Sequence, residues 1–314
     1  SARWSSFTKN DELQFTGLPN EQIYRVLAST DPLRLKAEYA AQYQMISALE
    51  AGLVFNVFNM NFEELGYNPD PERNERNRAL RCAIIKGFDW RARNESFYGG
   101  LGVIFPGVIP PAVAEFDPDM SRASVTYDPA GARALLNEYG GNADNLPTLV
   151  YGTTPGPTLR LFYEQFRAWM KRIGYPADKV VLKSYATFGD ISKAWRSSEL
   201  PLIMSGWKMD YPDAENTLQL FYGPNGSPGS NSANYRNPAY DELYRQVSVM
   251  QPSAERTALY RQMNQILVDD CVANSGISRR GISLWHRNVI VYPDSSFLGG
   301  RFLKYVDIAP EPVR

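Results

Sequence analysis

The chain has one histidine, His286, and two cysteines, Cys82 and Cys271, in 314 residues. A single histidine cannot assemble a two-histidine or histidine-plus-cysteine set, so no metal site is expected. No Gly-x-Ser-x-Gly elbow is present for His286 to serve, and Gly99-Gly100-Leu101-Gly102 fits neither the dinucleotide fingerprint nor a P-loop. No cofactor is expected. Charge of one sign is also missing: 33 Lys plus Arg against 34 Asp plus Glu leave a net charge of −1, which excludes a phosphate-neutralising surface and argues against nucleic acid as a partner. The longest apolar stretch, Val103 to Ala114, is broken by Pro106, Pro110 and Pro111 and falls short of the ~18 residues a spanning helix needs. The start, Ser1-Ala2-Arg3-Trp4, has no initiator Met, charged n-region or apolar h-region, and reads as a chain from which a preceding segment has been removed. These absences leave a soluble globular chain, long enough for one large domain or two smaller ones.

What is abundant is hydrophobic and aromatic: 44% and 13% of residues, with 19 Tyr and 6 Trp. Most of these aromatics are expected to fill core, and some to line clefts. Asp70-Pro71 starts a helix running to about Lys86, with Ala79, Leu80, Ala83 and Ile84 on one face. Asp128-Pro129 starts another, closed by Gly140-Gly141. From Thr158 to Gly174, the spacing of Leu159, Phe162, Phe166, Trp169 and Ile173 predicts a helix with one buried stripe. Asn237-Pro238 opens a helix to about Met250, and Pro252 opens the last long one, with Leu259, Met263, Ile266 and Leu267 inside. Extended runs lie at 53–59, 146–151, 179–185, 201–207 and 282–286. Strands alternating with helices predict an α/β fold. The loop Gly223 to Asn231 is built of turn formers and reads as too polar for core.

Asp210, Asp213 and Glu215 cluster after the apolar strand Leu202-Ile203-Met204. Asp213 and Glu215 are expected to cap and charge the first turn of a helix from Asp213 to Tyr222. Asp210 precedes that helix at the carboxyl end of a strand, the edge where ligands sit in open α/β sheets.

The run Ser205-Gly206-Trp207-Lys208-Met209-Asp210-Tyr211-Pro212-Asp213-Ala214-Glu215-Asn216 resembles the C-terminal half of the family 5 extracellular solute-binding proteins, receptors of bacterial ABC importers for oligopeptides and dipeptides. So do Asn234 to Leu243, Glu255 to Tyr260, Phe58-Asn59 with Arg78 to Ile84, and Tyr127-Asp128-Pro129 with Ala134 to Leu136, all in the family's order. The resemblance implies a class II periplasmic binding protein fold with one complete C-terminal lobe, 53–274, and part of the other lobe from 1–52 and 275–314. It implies a monomeric binding protein rather than an enzyme, periplasmic or extracellular, that closes over a peptide-like solute and delivers it to a membrane permease. Asp210 becomes the acceptor for the solute's amine, Trp207 a side-chain wall, and Gly206 and Lys208 main-chain partners, with Tyr211 and Asn59 completing the ligand-binding set. Met204 stands where some peptide receptors carry a basic residue. Two other functions fit the scaffold: a ligand-sensing domain of a regulator, or, through its carboxylates, a hydrolase. Export would expose Cys82 and Cys271 to oxidation. They can form a disulfide near the hinge or remain buried, unpaired thiols.

Overall fold

The computed structural model describes residues 2–9, 13–138, 145–291 and 303–310. In chain order the strands are β1 (Phe15–Gly17), β2 (Leu27–Thr30), β3 (Leu33–Leu35), β4 (Tyr43–Leu49), β5 (Gly52–Phe58), β6 (Val103–Ile104), β7 (Leu149–Thr153), β8 (Val180–Ser184), β9 (Leu202–Lys208), β10 (Ala273–Ser278), β11 (Arg280–His286), β12 (Val289–Ile290) and β13 (Asp307–Ile308). The helices are α1 (Ala2–Lys9), α2 (Ile23–Val26), α3 (Ala37–Ala40), α4 (Pro71–Lys86), α5 (Trp90–Tyr98), α6 (Pro129–Glu138), α7 (Pro157–Arg172), α8 (Phe188–Arg196), α9 (Glu215–Leu218), α10 (Pro238–Val247) and α11 (Ala254–Asp269).

Local chemistry sets most helix starts. The side chain of Asp70 accepts from Glu72 N–H ahead of Pro71, and Asn237 accepts from the amides of Ala239 and Tyr240 ahead of Pro238. Thr187 and Asp190 form a reciprocal capping box at α8. The cap of α11 is Ser253, one residue after the expected Pro252. Strand β7, expected from Leu146, starts at Leu149, just past Pro147, which has no N–H for a ladder. The helix expected from Asp213 to Tyr222 is a single α turn, α9, followed by a 3-10 turn at Gln219–Phe221. Gly140-Gly141 lies outside the described residues.

Six strands form the main sheet in the order β6-β10-β5-β9-β7-β8, and three form a second in the order β1-β11-β4. The run Gly52–Phe58 is buried throughout because both faces of the main sheet are covered. Leu53, Phe55 and Val57 join one core with Trp195 of α8, Tyr240 of α10 and Met263 of α11. Val54 and Phe58 join another with Leu80 of α4, Trp90 of α5 and the α7 stripe Phe162, Phe166 and Trp169. A third core of Phe7, Tyr43, Ile282 and Leu284 lies on the small sheet. His286 packs there with ring centroids 4.8 Å from Phe7 and 5.3 Å from Tyr43.

The chain crosses between the two sheets twice, from β4 to β5 and from β10 to β11. At these crossings Glu50 N–H donates to Arg279 C=O at 2.7 Å, and the Arg279 guanidinium donates to both Glu50 carboxylate oxygens at 2.6 and 2.9 Å. Cys82 of α4 is bonded to Cys271, which follows α11 with φ +51°. Beside this disulfide, buried Arg81 donates to the carbonyls of Leu65, Asp270 and Cys271. The Gly223 to Asn231 loop is partly interior, contrary to its composition. Asn231 is fully buried, donating to Tyr222 and Tyr235 carbonyls and accepting from Tyr235 N–H. Its polarity serves the turn's own backbone rather than solvent.

Candidate functional site

The site is built on β9. Two hydrogen bonds, Met209 N–H to Ala51 C=O at 2.8 Å and Asn59 N–H to Pro201 C=O at 3.0 Å, extend the antiparallel β5–β9 register, in which Trp207 faces Leu53, Ser205 faces Phe55 and Ile203 faces Val57. In an antiparallel ladder, hydrogen-bonded and non-bonded pairs alternate. The odd-numbered residues of β9 therefore turn their N–H and C=O groups toward β5, and Leu202, Met204, Gly206 and Lys208 turn theirs away. The bond from Phe58 N–H to Val272 C=O agrees, since it directs the even-numbered residues of β5 toward β10.

On its outer side β9 pairs with β7 at one point, Tyr151 against Leu202. Beyond that point the main-chain groups of Met204, Gly206 and Lys208 form an edge without a neighbouring strand among the described residues. Gly206 is exposed, and a Cβ added there would meet Leu53 C=O at an ordinary 3.5 Å. Packing does not demand glycine at this position. Its effect is a bare backbone that another chain can approach.

At the end of this edge lies Asp210. Its carboxylate is exposed and makes no hydrogen bond or ion pair among the described residues, so it does not cap the next helix. Its N–H donates to Asn216 Oδ1 at 3.3 Å, and the same oxygen accepts from Trp207 Nε1–H at 2.8 Å. Asn216, fully buried, thus ties Trp207 and Asp210 to one atom; it stood in the family-like run, but only the folded turn reveals its role. Tyr211 is 42% exposed and donates to Glu215, which also accepts from Tyr244. Burial, then Glu215, holds both tyrosines above the ordinary phenol range. Asp213 accepts from Arg256 at 2.7 Å, Tyr260 at 3.0 Å and Glu215 N–H at 3.0 Å, which leaves it structural. Lys208 is exposed.

Asn59 does not join this group. It is fully buried, its amide donates to Trp195 C=O at 2.8 Å, and its Oδ1 accepts from Asn61 N–H at 3.1 Å. Its polar atoms are used in holding the turn after β5, with no face left for a solute.

The two faces of the edge differ. On the odd-numbered face a cavity of about 330 Å³ opens beside Ser205 and Trp207. On the even-numbered face Met204 Sδ lies 3.6 Å from Nη1 of Arg93, a fully buried residue of α5. Arg93 donates to Phe162 C=O, and its guanidinium lies 4.3 to 5.5 Å from the ring centroids of Phe88, Phe97, Phe162 and Trp169. Burial lowers its pKa.

A strand edge of this kind suits the binding of an extended chain. Comparison with known proteins decides the lineage: the sequence pattern of the bacterial extracellular solute-binding proteins, family 5, matches residues 1–229. The chain belongs to family 5. This is a family of binding proteins rather than enzymes. The di/tripeptide-binding protein 1 of Pseudomonas aeruginosa is 27% identical over 218 residues, covering 68% of this chain and 37% of that protein. The dipeptide-binding protein of Escherichia coli is 25% identical over 278 residues, covering 87% and 47%. Other family relatives are named for heme and for glutathione binding. HbpA2 of Haemophilus parasuis shares the fold with a TM-score of 0.74 at 19% identity, over 98% of this chain and 56% of that one. The family 5 fold is therefore the class II periplasmic α/β architecture, and the chain spans less than half the length of the curated relatives it matches. No helix among the described residues is long and apolar enough to cross a membrane.

Proposed function

We propose that the chain carries the ligand-holding lobe of an ABC importer's solute-binding component and that its solute is a peptide or another amine-bearing molecule. One observation carries this reading: the outward backbone of Gly206 and Lys208 ends on the unpartnered carboxylate of Asp210. An extended peptide adds to such an edge through main-chain bonds, and its ammonium meets Asp210 in a charge-assisted bond. Trp207 and Tyr211 supply walls, and the main-chain bonds are sequence-tolerant.

In this reading, residues 53–274 form the lobe, 1–52 and 275–314 belong to the other one, and the crossings joined by Glu50 and Arg279 are the hinge. Closure brings the second wall over the solute, outside the cytoplasm, for delivery to the permease. The names of the peptide-binding relatives support the solute class.

Calorimetric titration of the chain with trialanine and N-acetyl-trialanine tests the amine contact. On an open lobe an exposed ion pair contributes up to ~1 kcal/mol, so acetylation is expected to weaken binding about two- to fivefold and to make no difference in Asp210→Asn. Equal binding of both peptides to the unaltered chain refutes the amine contact. Enclosed between lobes, the same contact is worth ~2 to 5 kcal/mol.

A further inference from the structure

We propose that Glu215 is a positioning residue for the solute site: its carboxylate fixes the ring of Tyr211 beside Asp210 by tying it to Tyr244 of α10. The proposal rests on the peptide reading above, in which Tyr211 is a wall, and adds what makes that wall rigid.

The three carboxylates that follow β9 have separate tasks. Asp213 is occupied by Arg256, Tyr260 and Glu215 N–H. Glu215 receives two phenol donors, Tyr244 on Oε1 and Tyr211 on Oε2. Of the three, Asp210 is the one left for a solute's ammonium.

Tyr211 needs a hold from outside its own turn. It stands in the exposed turn after Asp210, where the bond from Asp213 N–H to Tyr211 C=O at 3.0 Å fixes the backbone but not the ring. A tyrosine there turns about two χ angles, and ordering it when a solute arrives costs affinity. Glu215 is itself a long side chain on the single turn α9. Its fixed point is Tyr244, which is 9% exposed and stacks on Tyr222 with ring centroids 4.2 Å apart and planes at 19°. Phenol-to-carboxylate bonds are charge-assisted and roughly twice as strong as neutral ones. One half-buried carboxylate therefore links the exposed ring to the packed face of α10. With its hydroxyl committed to Glu215, Tyr211 offers a solute ring surface rather than a hydrogen bond.

The test is a double-mutant cycle on the 314-residue chain, read by calorimetry with trialanine. Tyr211→Phe keeps the ring and removes its tether, and Glu215→Ala removes the tether from the other end. Each is expected to weaken binding about two- to tenfold, the cost of ordering one side chain on binding, and the double variant no more than either single one. Without peptide, relaxation of the isotope-labelled Tyr211 ring is expected to show a rigid ring in the unaltered chain and a mobile one in Glu215→Ala, a change that lost stability alone does not produce. Unaltered affinity in Tyr211→Phe, additive losses in the double variant, or a ring equally mobile with and without Glu215 overturns the positioning role, while trialanine binding still supports the peptide reading. Where Glu215→Ala does not fold, Tyr211→Phe and the unaltered chain decide, and a mobile Tyr211 ring in the unaltered chain overturns the proposal. If trialanine does not bind the unaltered chain, the peptide reading falls and the positioning role with it.

Discussion

Reducing the Cys82–Cys271 bridge, or replacing both residues by serine, is expected to lower the stability of the chain by about 3 to 5 kcal/mol. The two cysteines are 189 residues apart, so the bridge closes a loop that contains most of the main sheet and the helices on both its faces. On a chain-entropy account the cost of opening a loop grows with the logarithm of its length, from ~3 kcal/mol at 15 residues to ~4.7 at 100, and a loop of this length gives roughly 5. The bonds from Arg81 to the carbonyls of Leu65, Asp270 and Cys271 do not involve the sulfurs and are expected to hold this region without the bridge. The effect therefore falls mainly on the unfolded state. Urea unfolding is followed for the oxidised chain, the reduced chain and Cys82→Ser/Cys271→Ser. With a slope of roughly 3 kcal/mol per molar, a loss of ~5 kcal/mol moves the midpoint down by about 1.7 M. Midpoints of the reduced chain and the double variant within about 0.3 M of the oxidised chain refute the reasoning, and a shift in the variant alone assigns the loss to serine at half-buried position 82 and buried position 271.

Asn216→Ala removes the shared acceptor of Trp207 and Asp210; losing such partly buried hydrogen bonds costs ~0.5 to 1.5 kcal/mol each, and trialanine binding is expected to weaken with them. Unchanged affinity in a destabilised Asn216→Ala would limit Asn216 to a packing role. Asp128 accepts from Gly131 N–H at 2.8 Å at the start of α6, and this bond, followed by Lys86 at 3.4 Å, holds its carboxyl below the usual range. The folded pKa being the lower one, its contribution to stability is present above the unfolded value of ~4 and is lost as pH falls through the folded value. Denaturant midpoints of Asp128→Asn and the unaltered chain are expected to differ at pH 6 and to converge toward pH 2; a constant gap contradicts the charge argument.

The parts of this fold legible in the sequence are those set by neighbours in the chain. Asp70-Pro71 and Asn237-Pro238 carry their own caps, and the α7 stripe declares its buried face by spacing. Strand β10 has no such signal: Ala-Asn-Ser-Gly-Ile-Ser lacks alternation, yet it lies between β5 and β6 because partners more than 160 residues away pair with it. β4 and α5 were likewise not apparent, although the Thr187–Asp190 capping box at α8 was there to be read. At the site, Gly206, Trp207, Lys208 and Asp210 came from a family-like run and lie together on one strand and its end. Asn59 came from the same resemblance and is in the core, because a motif gives residue identities without the direction a side chain takes. Neither the open edge of β9 nor the pivot at Asn216 has a local signature, since one depends on where β7 diverges and the other on a turn that folds back over the strand.

The central claim is that the outer edge of β9 receives the solute's backbone. Backbone amide signals of an isotope-labelled chain, followed during titration with trialanine, test it most directly. The amides of Gly206 and Lys208, which point to the open edge, are expected to shift with a common saturation curve, while those of Ser205 and Trp207, bonded to β5, move far less. Shifts of equal size in all four amides, or shifts confined to residues away from β9, would contradict the account.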